Sequence, residues 1–317
     1  MRVKAPKRPR FFCFYAQIAS LKESVVILLN SFMSWIGGKK ALRDEILMRF
    51  PLEVKRYIEV FGGGGWILFH KRPCTFEVYN DFNPNLANLF RCVRDKPEEL
   101  IGELEFTLNS RLDFKHIRNE LKKPIELPDI RRAAYFYQLI RQSYASGLDS
   151  YGAQPHSMWA NFPLIRAACG RLQKVVIENR DFEHLIKQYD RPESFFYCDP
   201  PYYATEDYYE DVGFTAADHQ RLADALCAID GNFLLSYNDC PEIRALYDRP
   251  GIIIEGTSRL SNIAQRYEGG AMYAELLIAN YDTTEQARNF LQLTLWDDPQ
   301  NPQRILEERK IITDGTV

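Results

Sequence analysis

The densest chemical signal in the chain is Asp199-Pro200-Pro201-Tyr202, directly after the apolar run at 195–198. Two successive prolines fix φ and remove two N–H donors, leaving rigid carbonyl acceptors beside a carboxylate. An amino group on an aromatic ring has two hydrogens and a delocalised lone pair. Asp199 and the Pro200 carbonyl would accept those hydrogens, so that the nitrogen pyramidalises and turns its lone pair on an electrophile. Tyr202 would stack on the ring and hold it. This chemistry needs no metal and no general base with a shifted pKa. An Asx-turn closing a strand explains Asp-Pro but has no use for Pro-Pro-Tyr.

A second signal is Gly62, Gly63, Gly64 and Gly65 after the short apolar pattern that ends at Phe61. Glycines there let the backbone turn tightly and approach a ligand, while the next helix offers its first amides. The dinucleotide fingerprint fails, because Gly62 and Gly64 would need a third glycine where Ile67 stands. A phosphate loop fails too, since Gly38-Lys39 is followed by Lys40 rather than Ser or Thr. Asp81, at the end of the next strand pattern, suits a ribose diol. Acids at strand ends also cap helices, and both roles stay open for it.

These residues need elements to carry them. The pattern predicts a helix over 40–50 ending at Pro51, strands at 57–61 and 75–79, and a helix over 84–93. Strand, glycine turn, helix, strand, acid, helix opens a doubly wound α/β sheet. Residues 96–172 read as mostly helical, with an aromatic-rich helix over 130–144 and a long loop over 143–161. Strand patterns resume at 174–178, 195–198, 233–237, 252–255 and 274–281, with a helix over 216–229. The tail after Asp282 reads as loosely structured. An α/β sheet is thus interrupted by a helical insert.

Composition bounds the function. The 317 residues are 46 % hydrophobic and 26 % charged, ordinary for a globular chain of one large domain or two joined ones. The seven cysteines are scattered with no C-x-x-C pair, which argues for reduced thiols in a cytosol and against zinc. A basic start followed by an apolar stretch raises a signal peptide, but polar interruptions and the lack of a small-residue cleavage site make it a poor one. The net charge of −3 hides a split: residues 109–180 hold twelve Lys/Arg against six acids, and residues 190–239 hold two Arg against eleven acids. That division suits a phosphate-gripping lobe beside a cation-handling site.

Four blocks in order carry a resemblance: Phe32-Met33-Ser34-Trp35-Ile36-Gly37-Gly38-Lys39, Glu59-Val60-Phe61-Gly62-Gly63-Gly64-Gly65, Asn80-Asp81-Phe82-Asn83 and Asp199-Pro200-Pro201-Tyr202. Asn179-Arg180-Asp181-Phe182, Ser236-Tyr237-Asn238-Asp239 and Glu275-Leu276-Leu277-Ile278 add weaker support. Over about 32–282 the chain resembles the Dam-like DNA adenine methylases, especially their phage and prophage members. The resemblance implies a Rossmann-like S-adenosylmethionine-dependent methyltransferase sheet with an inserted, mostly helical target-recognition subdomain. It divides the chain into an N-terminal extension (1–31), a catalytic domain (32–95 and 173–282), the insert (96–172) and a tail (283–317).

By that resemblance Trp35, Gly37, Gly38 and Lys39 hold the methionine end of the cofactor, with Lys39 near its carboxylate. Glu59, Phe61, Gly62, Gly63 and Gly64 lie under its amino acid portion, Asp81 takes the ribose hydroxyls, and Asp181 with Phe182 the adenine. Asp199, Pro200, Pro201 and Tyr202 hold the target base. Val60 stands where the family often has proline, a change that a backbone contact tolerates. On the insert, Arg131, Arg132 and Arg141 are candidates for guanine edges or phosphates of double-stranded DNA, and Tyr144 for stacking on a base. A cytosine-N4 enzyme, an RNA or protein-amide methyltransferase, and a silent DNA-binding relic are the alternatives. In the tail, Gln292-Leu293-Thr294-Leu295-Trp296 resembles the short peptide by which bacterial replication proteins bind the sliding clamp.

Overall fold

The computed structural model describes residues 29–123, 127–155, 157–204, 213–260 and 272–297. Seven strands form one sheet: β1 (Arg56–Glu59), β2 (Phe76–Asn80), β3 (Val175–Glu178), β4 (Ser194–Cys198), β5 (Asn232–Asn238), β6 (Ile253–Leu260) and β7 (Met272–Ala279). Their order is β3-β2-β1-β4-β5-β7-β6. The first five are parallel, and β7 runs antiparallel to both neighbours. Parallel strands covered on both faces read as unbroken apolar runs. β4 is the clearest case, buried at all five positions.

Among the described residues eleven helices accompany the sheet: α1 (Arg43–Met48), α2 (Trp66–His70), α3 (Pro84–Asp95), α4 (Pro97–Glu105), α5 (Arg111–Lys122), α6 (Asp129–Gln142), α7 (Phe162–Leu172), α8 (Phe182–Tyr189), α9 (Ala216–Cys227), α10 (Pro241–Tyr247) and α11 (Thr283–Asp297). Strand alternation sends Tyr57, Phe195, Tyr197, Leu234 and Leu277 to one face, where they pack with Phe32, Phe69, Phe90 and Tyr137. Ile58, Phe196, Leu235 and Ile278 point the other way, onto Leu185, Leu222, Leu226 and Ile243 from α8, α9 and α10. The sheet is therefore Rossmann-like, with helices on both faces.

Helices α4 to α7 form the insert between α3 and β3. α6 is its central element, buried at Ala133, Ala134, Phe136, Tyr137, Gln138, Leu139, Ile140 and Gln142. Its apolar face joins the same cluster as the sheet, so the insert shares a core with it. α5 covers the outside of α6, packing Phe114 and Ile117 around Leu139.

Several elements differ from the sequence pattern. The expected helix over 40–50 is a 3-10 turn, Lys39–Ala41, followed by α1 after a break at Leu42. The break leaves Lys39 buried beneath the turn rather than on a helix surface. The first part of the tail after Asp282 is not loose, because α11 occupies residues 283–297, while 298–317 lie outside the described residues. Its polar start is the reason: the Asp282 carboxylate accepts from Glu285 N–H at 2.9 Å, and buried Thr283 donates to Glu255 at 3.0 Å. The main chain of 292–296 belongs to this helix, while the side chains of Gln292, Leu293, Leu295 and Trp296 lie outside the described residues, as does most of the 1–31 extension. Two short helices were not expected, α8 started by its Asp181 cap and α10 by Pro241 at its first position. Among the described residues no helix is long and apolar enough to cross a membrane.

One buried charge cluster ties the insert to the sheet. Arg171 of α7 donates to both oxygens of Glu77 at 2.5 and 2.9 Å and to the Leu68 carbonyl at 2.9 Å. Lys71 reaches the same carboxylate, which is almost fully buried. Burial alone would raise the Glu77 pKa, but the Arg171 bonds and the Lys71 charge outweigh it and hold it below its usual value. Replacing Arg171 by Met leaves the carboxylate half-paired, so a loss of about 3 kcal/mol is expected in urea unfolding. A change under about 1 kcal/mol would mean that Lys71 alone suffices.

Candidate functional site

The carboxyl ends of β1 and β4 lie side by side where the strand order reverses direction, the place at which an open α/β sheet has its crevice. The glycine turn fills the floor. Gly62 N–H donates to the Asn80 carbonyl at 2.7 Å, and the Tyr79 hydroxyl donates to the Gly63 carbonyl at 2.7 Å. A Cβ at Gly62 would overlap the Tyr79 ring. At Gly63 φ is 49°, and a Cβ would come within 2.8 Å of the Trp35 indole. Both positions therefore need glycine, one for space and one for conformation as well.

The 31–39 segment closes over this floor. Ser31 donates to the Gly64 carbonyl at 2.5 Å, and Trp35 packs against Phe136 of α6 with ring centroids 6.0 Å apart. Gly38 N–H returns to the Trp35 carbonyl at 3.1 Å after a left-handed Gly37, a turn that aims Lys39 inward. Lys39 Nζ meets Asp199 Oδ1 at 2.6 Å, with the lysine side chain 4 % and the aspartate side chain 18 % exposed. The ammonium also lies 4.6 Å from the centroid of the Tyr202 ring.

Asp199 is the centre of the site. The Ser236 hydroxyl donates to its Oδ1 at 2.9 Å. Lys39 and Ser236 thus share one oxygen, and among the described residues Oδ2 has no such partner. Burial raises the Asp199 pKa above its usual value, although the Lys39 charge and hydrogen bond pull it down. A carboxylate of this kind is a strong hydrogen-bond acceptor and a better proton acceptor than an exposed one.

The end of β5 holds the rest of the loop. Asn238 accepts from Tyr203 N–H at 3.1 Å and donates back to its carbonyl at 3.2 Å. Tyr237 lies 5.9 Å from the Tyr202 ring and is hydrogen-bonded in turn to buried His219. Ser236, Tyr237 and Asn238 therefore hold the Asp199–Tyr203 loop, a part that the sequence reading did not give them. The signal was present in the Ser-Tyr-Asn-Asp block, but only the strand's direction shows that it ends at Asp199.

The remaining nominated residues divide into two groups. Asp81 adjoins the glycine turn, accepting from Gly63 N–H and Asn83 N–H at 2.9 Å each, and burial raises its pKa to about 6 against those two bonds. Phe61 and Phe182 lie 5.7 Å apart and both flank Phe214, an apolar shelf next to Asp81's strand end. Asp181 caps α8 through Glu183 and His184 N–H and is ion-paired with Arg221 at 3.2 Å. Glu59 is 2 % exposed and accepts from the Tyr57 hydroxyl at 2.7 Å, facing the core beneath the turn. On the insert, Arg131 and Tyr144 are both exposed, Arg131 with Glu103 at 3.4 Å, and Arg132 donates to Asn85 at 2.6 Å. Arg141 lies in the last turn of α6, between buried Ile140 and Gln142.

Residues 35–263 match the D12 class N6 adenine-specific DNA methyltransferase family. The chain belongs to that family. It is therefore an adenine-specific DNA methyltransferase by class, and its substrate class is DNA. The chain is similar to the Type II methyltransferase M1.LlaDCHI of Lactococcus lactis subsp. cremoris, 28 % identical over 282 residues that cover 80 % of this chain and 96 % of the relative. It is also similar to the Retron Ec67 DNA adenine methylase of Escherichia coli, 27 % identical over 69 % of this chain and 81 % of the relative. A DNA adenine methylase of Haemophilus influenzae is 26 % identical over 68 % of this chain and 82 % of its own length.

Burial pushes the Glu59 pKa of this D12 enzyme up to about 8 from an ordinary 4.5, although Tyr57 and Lys71 pull it down. The folded protein then keeps a proton that the unfolded chain gives up between about pH 4.5 and 8, so stability falls as pH rises through that window. Glu59→Gln lacks this titration. Thermal melts should show the wild-type protein losing more Tm than the variant between pH 5 and 8. Parallel profiles would mean that Glu59 is ionised throughout.

Proposed function

We propose that this enzyme moves a methyl group from S-adenosylmethionine to N6 of an adenine flipped out of duplex DNA, with Asp199 Oδ2 receiving the amino group. The observation that supports this most is the unequal use of the carboxylate: Lys39 and Ser236 both meet Oδ1, and among the described residues no hydrogen bond reaches Oδ2. The crevice suits the proposed cofactor. A cationic Lys39 suits its carboxylate, the close-packed glycine turn gives it a flat floor, Asp81 has lone pairs left for a diol, and Phe61 and Phe182 offer an apolar shelf for a base. Trp35, Gly37, Gly38 and Gly64 complete the methionine end, and Asp181 the adenine end.

Bound there, S-adenosylmethionine supplies an electrophilic methyl group. The protein's part is positioning. Asp199 Oδ2 and the Pro200 carbonyl accept the two amino hydrogens, which localises the nitrogen lone pair and aims it. Tyr202 stacks on the base, held from behind by Tyr237, and Pro201 keeps the loop from relaxing. The proton that the amino nitrogen finally gives up has Asp199 as its nearest base, and burial of that carboxylate favours its uptake. Extruding the base costs a few kcal/mol, offset by stacking and hydrogen bonds in the pocket. In this reading residues 32–95 and 173–282 are the catalytic domain of a cytoplasmic enzyme, and 96–172 meet the DNA, with Arg131 and Tyr144 the exposed nominated side chains there.

The test is transfer of labelled methyl from S-adenosylmethionine to duplex DNA, RNA or a protein mixture, with products digested to nucleosides and identified by mass. N6-methyladenine from DNA, reduced on the order of 10²–10³-fold by Asp199→Ala, is the expected outcome. N4-methylcytosine would overturn the base assignment, and transfer unaffected by Asp199→Ala would overturn the site. A sliding clamp is a proposed partner on the Gln292–Trp296 motif alone. Capture of purified clamp should be lost when Gln292 and Leu293 become Ala, and unchanged capture would refute it.

A further inference from the structure

The cations of α5 are sorted around the helix. At 100° per residue Arg111, Lys115, Arg118 and Lys122 fall within one narrow stripe. The apolar stripe of Phe114, Ile117 and Leu121 lies beside it and packs onto α6. The two carboxylates, Asp113 and Glu120, lie on the opposite edge, and Glu120 is paired with Lys123 at 2.5 Å. Arg111, Lys115 and Lys122 are exposed, and Arg118 is half-buried with Asp149 at 2.7 Å. This row is roughly 16 Å long at 1.5 Å per residue.

The stripe is joined to the crevice by the loop after α6. Arg111 lies 4.9 Å from the centroid of Tyr151, whose hydroxyl is bound to Asn109 at 2.8 Å. Asn109 in turn donates to the Gln154 carbonyl at 2.8 Å. The same loop reaches back to the site, where Ser146 donates to Ser34, next to Trp35, at 2.8 Å. A straight row of cations therefore begins at a loop that touches the wall of the catalytic crevice.

We propose that α5 is a phosphate-contacting helix, laying Arg111, Lys115, Arg118 and Lys122 along the sugar-phosphate backbone of the DNA whose base enters the crevice. This rests on the DNA reading above. Nothing in the stripe can read base identity at a distance; its work is to fix register and orientation, and its signature is release of counterions.

The experiment measures binding of the full chain to a labelled 30-bp mixed-sequence duplex from about 50 to 200 mM salt. The double variant Lys115→Gln/Lys122→Gln should bind on the order of tenfold or more weakly at low salt, with a slope of log K against log salt smaller by about 1.8. Glu120→Gln on the opposite edge should not weaken binding. Methylation at saturating DNA should be unchanged in the double variant while its KM for DNA rises. Wild-type affinity and slope in the double variant would overturn the proposal. A wild-type chain that neither binds nor methylates duplex DNA would instead bring down the DNA reading on which it rests.

Discussion

The arrangement of the whole site depends on one buried ion pair, Lys39 with Asp199. Removing both charges from water is expensive, and such pairs contribute little net stability. Its value lies in what it makes certain. The lysine and Ser236 meet at the same carboxylate oxygen, and so fix which one is spent inside the protein. For that to happen, the segment before α1 must cross the tops of the strands and turn inward at two glycines, while β4 must end under it. The Gly62 to Gly65 turn, Tyr79 pressed against it and Ser31 pinned to Gly64 are all conditions for that crossing.

The loop bearing Asp199 is held from the other side by a strand that sequence inspection treats as core. Ser236 and Asn238 lie on the same side of β5, one bonding the carboxylate and the other clamping the main chain of Tyr203. Tyr237 between them faces the opposite layer and props Tyr202 through ring contact. Three consecutive residues thus serve three different parts of one loop, possible only because a strand alternates its side chains across two faces.

Much of this was legible in the chain. The parallel strands announced themselves as apolar runs, and Pro-Pro-Tyr after an acid had no purely structural explanation. What could not be read were relations between distant segments. Lys39 was expected near a cofactor carboxylate, and only the folded chain shows it on Asp199. Arg131 and Arg132 stood out by residue type, yet α6 is the buried axis of the insert, and both guanidinium groups are drawn to neighbouring helices. The cations of α5 entered the sequence reading only as part of the basic 109–180 stretch, because which face of that helix is covered shows only in the folded chain. The polar start of α11 looked like a loose tail, since capping residues and loop residues are the same types.

The insert and the wall of the crevice are fastened at three points: the Tyr137 hydroxyl on the Phe32 carbonyl at 2.8 Å, Phe136 on Trp35, and Ser146 on Ser34. A wall shared in this way has two masters. A ligand on the insert that favours one arrangement of the 32–35 segment would shift that segment, and one held by that segment would shift the insert in turn. Thermodynamic reciprocity then fixes the relation between them. If duplex strengthens the grip on the methyl donor by some factor, the donor strengthens the grip on duplex by the same factor, and a coupling of about 1.4 kcal/mol is tenfold in each direction. Which ligand arrives first alters the route to the ternary complex but not its free energy.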